Sequence, residues 1–548
     1  MTEPPQPPNQ PPPPSGYGHL PGPPQSAPGY GHPPQGENPY AQQPPTQPMH
    51  QPGWGPQPAT PPGGYGYPPP GAPQGQGMPP KKRMAVIIAA AAAGVLVLGA
   101  GAYLAFAGGD GKDPKKPVAQ GPGPGDDKPS ASADTGDGSG NGSKADEDLN
   151  AGRKQGEDKV LWLKTAKVDG PGLGVDSEGQ WVVGDTVVKS VWKNLTAYGA
   201  TDGKEKWTLA FPTPICAVTR QTTAEAKTVV MFKDGEGDSA SCSQMRQVDL
   251  KSGKEGWTKE VPKEGLFDIM TSPSLGITGD IVAVSRSGTA SAFKVSTGDK
   301  LFGSATAEGC KPDSYVAHNG KMIAISTCYD DDMTAEVSDA DPVTGKKTWT
   351  YRLPAKYKVT AVYSLDPLVL DVGNEDKKER SIVVLGPDGK QRTTVSGEGS
   401  FATSCSGGLF RSVEVCSNTA VDANTLYLPT VAEPGKANEI VAFDLGTGKV
   451  KWRTPAGDKR TLTPLGAANG QLIAYRHAEQ DQGGEVVSIP AAGGQPTALL
   501  RNPSGAAAPI ESSFYAPKVD YAGGRLYISA SRLLAKGKDE KLLMVFGK

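Results

Sequence analysis

Cysteine is absent from the first 215 residues of this 548-residue chain, and no two of its six cysteines are adjacent. Histidine is as scarce: five in all, with only His318 and His477 beyond residue 50. Two histidines exclude a multi-histidine metal centre in the C-terminal region. A Ser-His-Asp triad would have to use one of them, yet no Gly-x-Ser-x-Gly elbow occurs anywhere. Strong net charge is missing too. The formal value of −2 points to neither nucleic acid nor a strongly acidic partner. A phosphate-binding loop is absent as well. In "VAFDLGTGKVKW" Gly448-Lys449 is followed by Val450, and Phe443 stands where the first glycine is required.

What is present divides the chain unevenly. Residues 1–80 hold 29 of its 53 prolines and no Lys or Arg. With so little to bury, residues 1–83 read as a disordered tail of polyproline II character, able to dock a proline-reading partner. Residues 84–107 form a run of 24 uncharged residues, enough to cross a core about 30 Å thick. Lys81, Lys82 and Arg83 abut its start, which places the tail in the cytoplasm and the C-terminal region outside. A signal peptide cleaved after Ala107 is the competing reading. The run is longer than the usual apolar segment of about 7–15 residues, which favours an uncleaved anchor. Residues 108–156, rich in Gly, Asp, Ser and Pro, read as a flexible linker.

All six cysteines fall within residues 157–548. Fifteen connectivities are possible. Locality favours Cys216–Cys242, Cys310–Cys328 and Cys405–Cys416, which implies an oxidising compartment. The same region is repetitive. "TAYGATDGKEKW", "RQVDLKSGKEGW", "SAFKVSTGDKLF", "DADPVTGKKTW", "VVLGPDGKQRT" and "VAFDLGTGKVKW" share turn glycines Gly203, Gly253, Gly298, Gly345, Gly389 and Gly448, with a degenerate copy at Gly494. An aromatic follows four residues later at Trp207, Trp257, Phe302, Trp349 and Trp452, and an Asp precedes by four at Asp249, Asp341 and Asp444. Alternating apolar residues make each flank a strand, and the glycine supplies the positive φ of a tight hairpin.

Two further strands precede each hairpin, and four strands in about 45–50 residues is the arithmetic of one propeller blade. The lone strand at 160–166 has no blade before it, and the last blade lacks a fourth strand. The economical solution is that the first strand closes the last blade. That predicts an all-β, eight-bladed propeller. Seven blades remain if the degenerate copy is an insertion.

The Ala/Val-x-Asp-x-x-Thr-Gly-Lys-x-x-Trp phrase resembles the repeat of PQQ-like, or quinoprotein-type, β-propellers, and the architecture resembles a bacterial single-pass membrane-anchored form. The resemblance implies fold rather than function, because such propellers include dehydrogenases and scaffolds alike. The enzymes hold pyrroloquinoline quinone and calcium at the propeller axis, commonly under an adjacent cysteine pair and above a Trp. This chain has no adjacent cysteines, and its five repeat aromatics occupy blade-packing positions. Trp162, Trp181 and Trp192 lie outside that register and are the candidates for another role. "YDDDMTAE", with Asp330, Asp331 and Asp332, lacks the ligand alternation of a calcium loop and reads as a solvated turn. The expectation is therefore no catalytic residue, metal or cofactor. The domain is expected to be a protein-interaction or ligand-sensing module at the plasma membrane. Its partner would be an envelope protein or a small ligand. The cysteine-stapled segment "CSGGLFRSVEVC", presenting Leu409, Phe410 and Arg411, is the candidate recognition loop. A PQQ- and calcium-dependent dehydrogenase and a structural envelope protein are the alternatives.

Overall fold

The computed structural model describes residues 148–548, except 173, 238, 266, 267, 308, 398, 404 and 406–414. Seven four-stranded antiparallel meanders follow one another at 180–210, 215–260, 269–303, 312–352, 358–395, 420–455 and 462–501. They are numbered here as blades 1 to 7. The eighth sheet is discontinuous in sequence. Lys518–Ala522, Arg525–Ser529 and Lys536–Gly547 supply its first three strands, and Lys159–Asp169 supplies the outermost. The register runs from Lys159 opposite Gly547 to Asp169 opposite Lys536. Eight blades are therefore present, and the seven-blade alternative falls. The closing strand extends beyond the expected 160–166 at both ends. The tail, the apolar run at 84–107 and nearly all of the linker lie outside the described residues. Among the described residues no helix is long and apolar enough to cross a membrane.

The core sits between blades. Each of the eight apolar clusters joins two neighbouring sheets, as when Val229 and Met231 of blade 2 pack with Val282, Val284 and Phe293 of blade 3. Such burial contributes about 25 cal/mol per Å² of apolar surface, so the seams carry most of the stabilisation.

The repeat phrase builds a second layer of seam packing. Gly253, at φ 71°, has no room for a side chain: a Cβ there would lie 2.5 Å from the ring of Trp207 in the blade before. The same approach places Gly298 on Trp257, Gly345 on Phe302 and Gly389 on Trp349, at 2.4–2.5 Å. The indole nitrogens of Trp257 and Trp452 donate to Val295 O and Ala491 O in the following blade, at 2.8 and 3.0 Å. Each outer-strand aromatic is thus a wedge beneath the next turn. In the degenerate seventh copy it is Gly493, rather than Gly494, that meets Trp452.

Trp162 corrects the sequence reading. It underlies Gly203 at 2.7 Å and donates from Nε1 to Ala200 O at 3.2 Å, so it is the wedge of blade 8. Counting from a turn glycine missed it because the last hairpin of blade 8 is split between distant parts of the chain. Blade 5 lacks the aromatic. There Gly448 lies against backbone, 2.0 Å from Thr394 O to a would-be Cβ, and Ser396 N donates to Gly448 O at 2.8 Å.

Antiparallel meanders send successive connections to alternate ends of the strands. One end, the turn end, collects the first-to-second and third-to-fourth strand turns, of two to six residues apart from 219–226. The other, the loop end, collects the second-to-third strand loops and every blade-to-blade connection, including 396–419.

Candidate functional site

All three disulfides form in the expected pairs, Cys216–Cys242, Cys310–Cys328 and Cys405–Cys416, and each lies at the loop end. Cys216 begins a first strand while Cys242 closes the long loop 233–243, so this bond ties a loop to its own blade. Cys310 precedes the first strand of blade 4 and Cys328 follows its second. Glu336 lies beside this pair, but disulfide-bonded sulfurs are not metal ligands, so the group holds no ion.

Leu409, Phe410 and Arg411 lie outside the described residues. The segment that follows them is placed. Val415 pairs in parallel with Val362 of blade 5, and Cys416 N donates to Val362 O at 2.8 Å. Arg220 of blade 2 donates from Nη1 to Val415 O at 3.1 Å. Residue 415 therefore spans the inner edge of the ring between blades 5 and 2.

That position tests the cofactor which the resemblance implies. The hollow beneath Val415, lined by Leu275, Gly276, Tyr315 and Val316 among others, has a volume of about 20 Å³. This is room for a single water, and no carboxylate is among its described lining residues. A tricyclic quinone with a calcium ion does not fit there. Trp181 is no stacking platform either, since it is 3% exposed and its Nε1 donates to Thr219 O at 2.9 Å. Trp192 turns the chain between strands at φ 52°, with the Lys193 ammonium 4.7 Å from its ring centroid.

The histidines are not brought together. His318 ends the first strand of blade 4 at the turn end, and burial lowers its pKa. His477 opens a loop of blade 7 at the opposite end. Its Nε2 lies 2.9 Å from Thr463 Oγ1, and burial, with Arg460 nearby, pushes its pKa down to about 4. It is a neutral core histidine at physiological pH. Asp330 accepts from Thr334 N at 2.9 Å and Met333 N donates to its carbonyl at 3.0 Å, so "YDDDMTAE" is a self-satisfied turn.

Sequence reasoning missed a buried polar cluster behind blade 7. The short helix α1, Ala507–Ser512, inserts Glu511 into the 7–8 seam. Its carboxylate accepts from Tyr475 Oη at 2.6 Å, Asn502 Nδ2 at 2.5 Å and Gly484 N at 3.1 Å, and burial raises its pKa. No motif announces it, because its members are contributed by three separate segments.

The loop end thus has fixed scaffolding and variable connections, while no catalytic constellation assembles among the described residues. The chain is similar to the family of Outer membrane protein assembly factor BamB over residues 149–309. That stretch is under a third of the sequence, and it agrees with the PQQ-like resemblance of the hairpins. No curated protein matches. Among solved structures, BamB from Moraxella catarrhalis is 14% identical, with a TM-score of 0.40, covering 71% of this chain and all of that one. A europium-containing methanol dehydrogenase is 13% identical at 0.41, covering 71% and 93%. The quinohemoprotein alcohol dehydrogenase ADHIIG from Pseudomonas putida HK5 is 12% identical at 0.41, covering 71% and 76%. Neither kind of neighbour assigns an activity at that level.

Proposed function

We propose that this chain is a non-catalytic β-propeller that serves as a protein-interaction module at the cell envelope. In this reading residues 84–107 anchor it in the plasma membrane, the propeller is extracytoplasmic, and the Pro-rich tail offers a cytoplasmic contact. The observation that carries the reading is the asymmetry of the two ends. Of the eight exposed large apolar side chains among the described residues, six lie at the loop end: Ile269, Tyr329, Met333, Val431, Tyr515 and Leu534. The other two described ones, Val343 and Val450, lie at the turn end. Exposed apolar side chains gathered on the longer connections, with Tyr329 and Met333 on the loop that Cys328 ties down, suit partner docking, whereas scattered ones on short turns are ordinary surface.

The test is photocrosslinking in the native envelope from probes at Tyr329, Val431, Val343 and Val450. Specific adducts from the first two and none from the last two are expected. Adducts equally distributed between the ends would overturn the docking face, and none at all would favour a structural role. Retained pyrroloquinoline quinone with dye-linked alcohol oxidation, after the purified chain is given the quinone and Ca²⁺, would make it an enzyme instead.

A further inference from the structure

Blade 8 overhangs its own sheet at the loop end. Its second strand, Arg525–Ser529, pairs with the third only as far as Leu543, so residues 536–541 continue as a ribbon with 165–169. The segment after α1 lies on the same loop. Lys541 Nζ donates to Ser513 Oγ at 2.5 Å, and Ser531 Oγ donates to Ala516 O at 3.1 Å. Phe514 packs against the cluster that holds Leu533 and Ala535. Amid these contacts Tyr515 is 94% exposed, and Leu534 on the loop is 57% exposed.

These segments are basic in a chain that is not. Residues 165–169, 513–518 and 530–541 hold six Lys and Arg against three Asp and Glu, while the whole chain carries a formal charge of −2. One of the three acids, Glu540, is engaged by backbone, accepting from Leu534 N at 2.8 Å and Ala535 N at 2.7 Å. Arg532, Lys536 and Lys538 are exposed. Four blades away, across the ring, the blade 4 loop 328–334 holds Asp330, Asp331 and Asp332 and no cation.

What covers this surface follows from where the chain enters the propeller. The Asn150 side chain accepts from Val160 N at 2.9 Å and donates to Val160 O at 3.0 Å, and Leu149 packs into the 7–8 seam. Ala506 N donates to Ala151 O at 3.2 Å. The chain before residue 148 therefore joins the propeller at the N-terminal end of α1. Tyr515 stands just past the other end, about 9 Å of helix away. Forty residues separate the apolar run at 84–107 from Asp148. A tether of that order makes the meeting of this rim with the bilayer intramolecular, and weak contacts then suffice. Lysines beside anionic lipid, with an aromatic at headgroup level, are the chemistry such a surface takes.

We infer that the loop end of blade 8 rests on anionic lipid at the outer face of the membrane, with Tyr515 and Leu534 at headgroup level and Arg532, Lys536 and Lys538 against lipid phosphates. The acidic blade 4 loop then faces away from the bilayer, and two of the six loop-end apolar side chains meet lipid instead of protein. This rests on the reading of 84–107 as an anchor. The test is amide hydrogen exchange on the full-length chain in lipid nanodiscs of phosphatidylcholine or of phosphatidylglycerol. Exchange at 513–516 and 531–541 is expected to slow about fivefold in the anionic discs alone. The slowing should vanish with Lys536→Glu plus Lys538→Glu, or in about 0.5 M salt. Both lysines are exposed, so the melting temperature of that variant stays unchanged. Incorporation into both discs with equal exchange at these segments overturns the inference and leaves the anchor standing. Failure to incorporate into either removes the anchor and the inference together. Slowing that appears only when an envelope extract is added assigns the surface to a protein and likewise overturns it.

Discussion

The two ends of the propeller are made from the same strands but by opposite rules. At the turn end one solution recurs: a positive-φ glycine laid on the aromatic of the previous blade, often beside an Asp that caps the turn. Asp444 Oδ1 accepts from Thr447 N at 2.8 Å and Gly446 N at 3.0 Å, as Asp341 Oδ1 does from Thr344 N at 2.7 Å and Val343 N at 3.1 Å. At the loop end no two connections are alike. One holds an α-helix, three cystines tie others, and another pairs Val175–Asp176 with Arg532–Leu533. Geometric uniformity is needed where blades must pack at a fixed angle. Variation is permitted where the connections only have to reach.

Perturbations should sort by end. Trp162→Ala removes the wedge of the closing blade and an interblade hydrogen bond. We expect a loss of about 3–5 kcal/mol by denaturant unfolding, against under about 1 for the half-buried Trp192→Ala. Equal losses would remove Trp162 from the wedge series. The paired change Cys216→Ser with Cys242→Ser opens a link of sequence separation 26. It should cost about 3–4 kcal/mol while leaving the β signal in circular dichroism intact.

His477 makes a pH prediction. Its folded pKa of about 4 lies below the ordinary 6.5. Between those values only the unfolded chain binds the proton, so this group's contribution falls as pH drops from 6.5 to 4. Glu511, raised by burial, acts oppositely: its contribution falls as pH rises above 4.5. From pH 4 to 6.5 the stability of His477→Gln should therefore rise less than that of wild type, by at most about 3 kcal/mol, and an unchanged pH profile would refute the assignment.

Gly448→Val meets both a φ of 72° and the Thr394 carbonyl, and should lose about 2 kcal/mol. Smallest of all, Lys449→Ala and Tyr329→Ala should each stay within about 0.5 kcal/mol of wild type. Detectable ATP binding that disappears with Lys449 would reopen the phosphate reading. A destabilising Tyr329→Ala would show that the exposed loop residues support the fold after all.

This contrast also explains what could be read in advance. Hairpin phrases recur because every seam poses the same packing problem, so spacing pointed to eight blades with seven left open, to closure of the ring by the first strand, and, by locality, to the three cystine pairs. Trp162 was misplaced because its turn is divided between residues far apart in sequence. The Glu511–Tyr475–Asn502 cluster carried no sequence signal, since tertiary proximity alone assembles it. The axial position of Val415 depends on a bond from Arg220, 195 residues away. No local pattern encodes that.

The split blade also bears on biosynthesis. Lys159–Asp169 precedes the seven blades and Lys536–Gly547 follows them, so the first strand waits with a bare edge while those blades are synthesised. A ribosome that stalls anywhere before residue 536 leaves a product with two unmatched edges, recognisable to proteases and chaperones as unfinished. Pairing of Lys536–Gly547 with Lys159–Asp169 removes both bare edges in a single step.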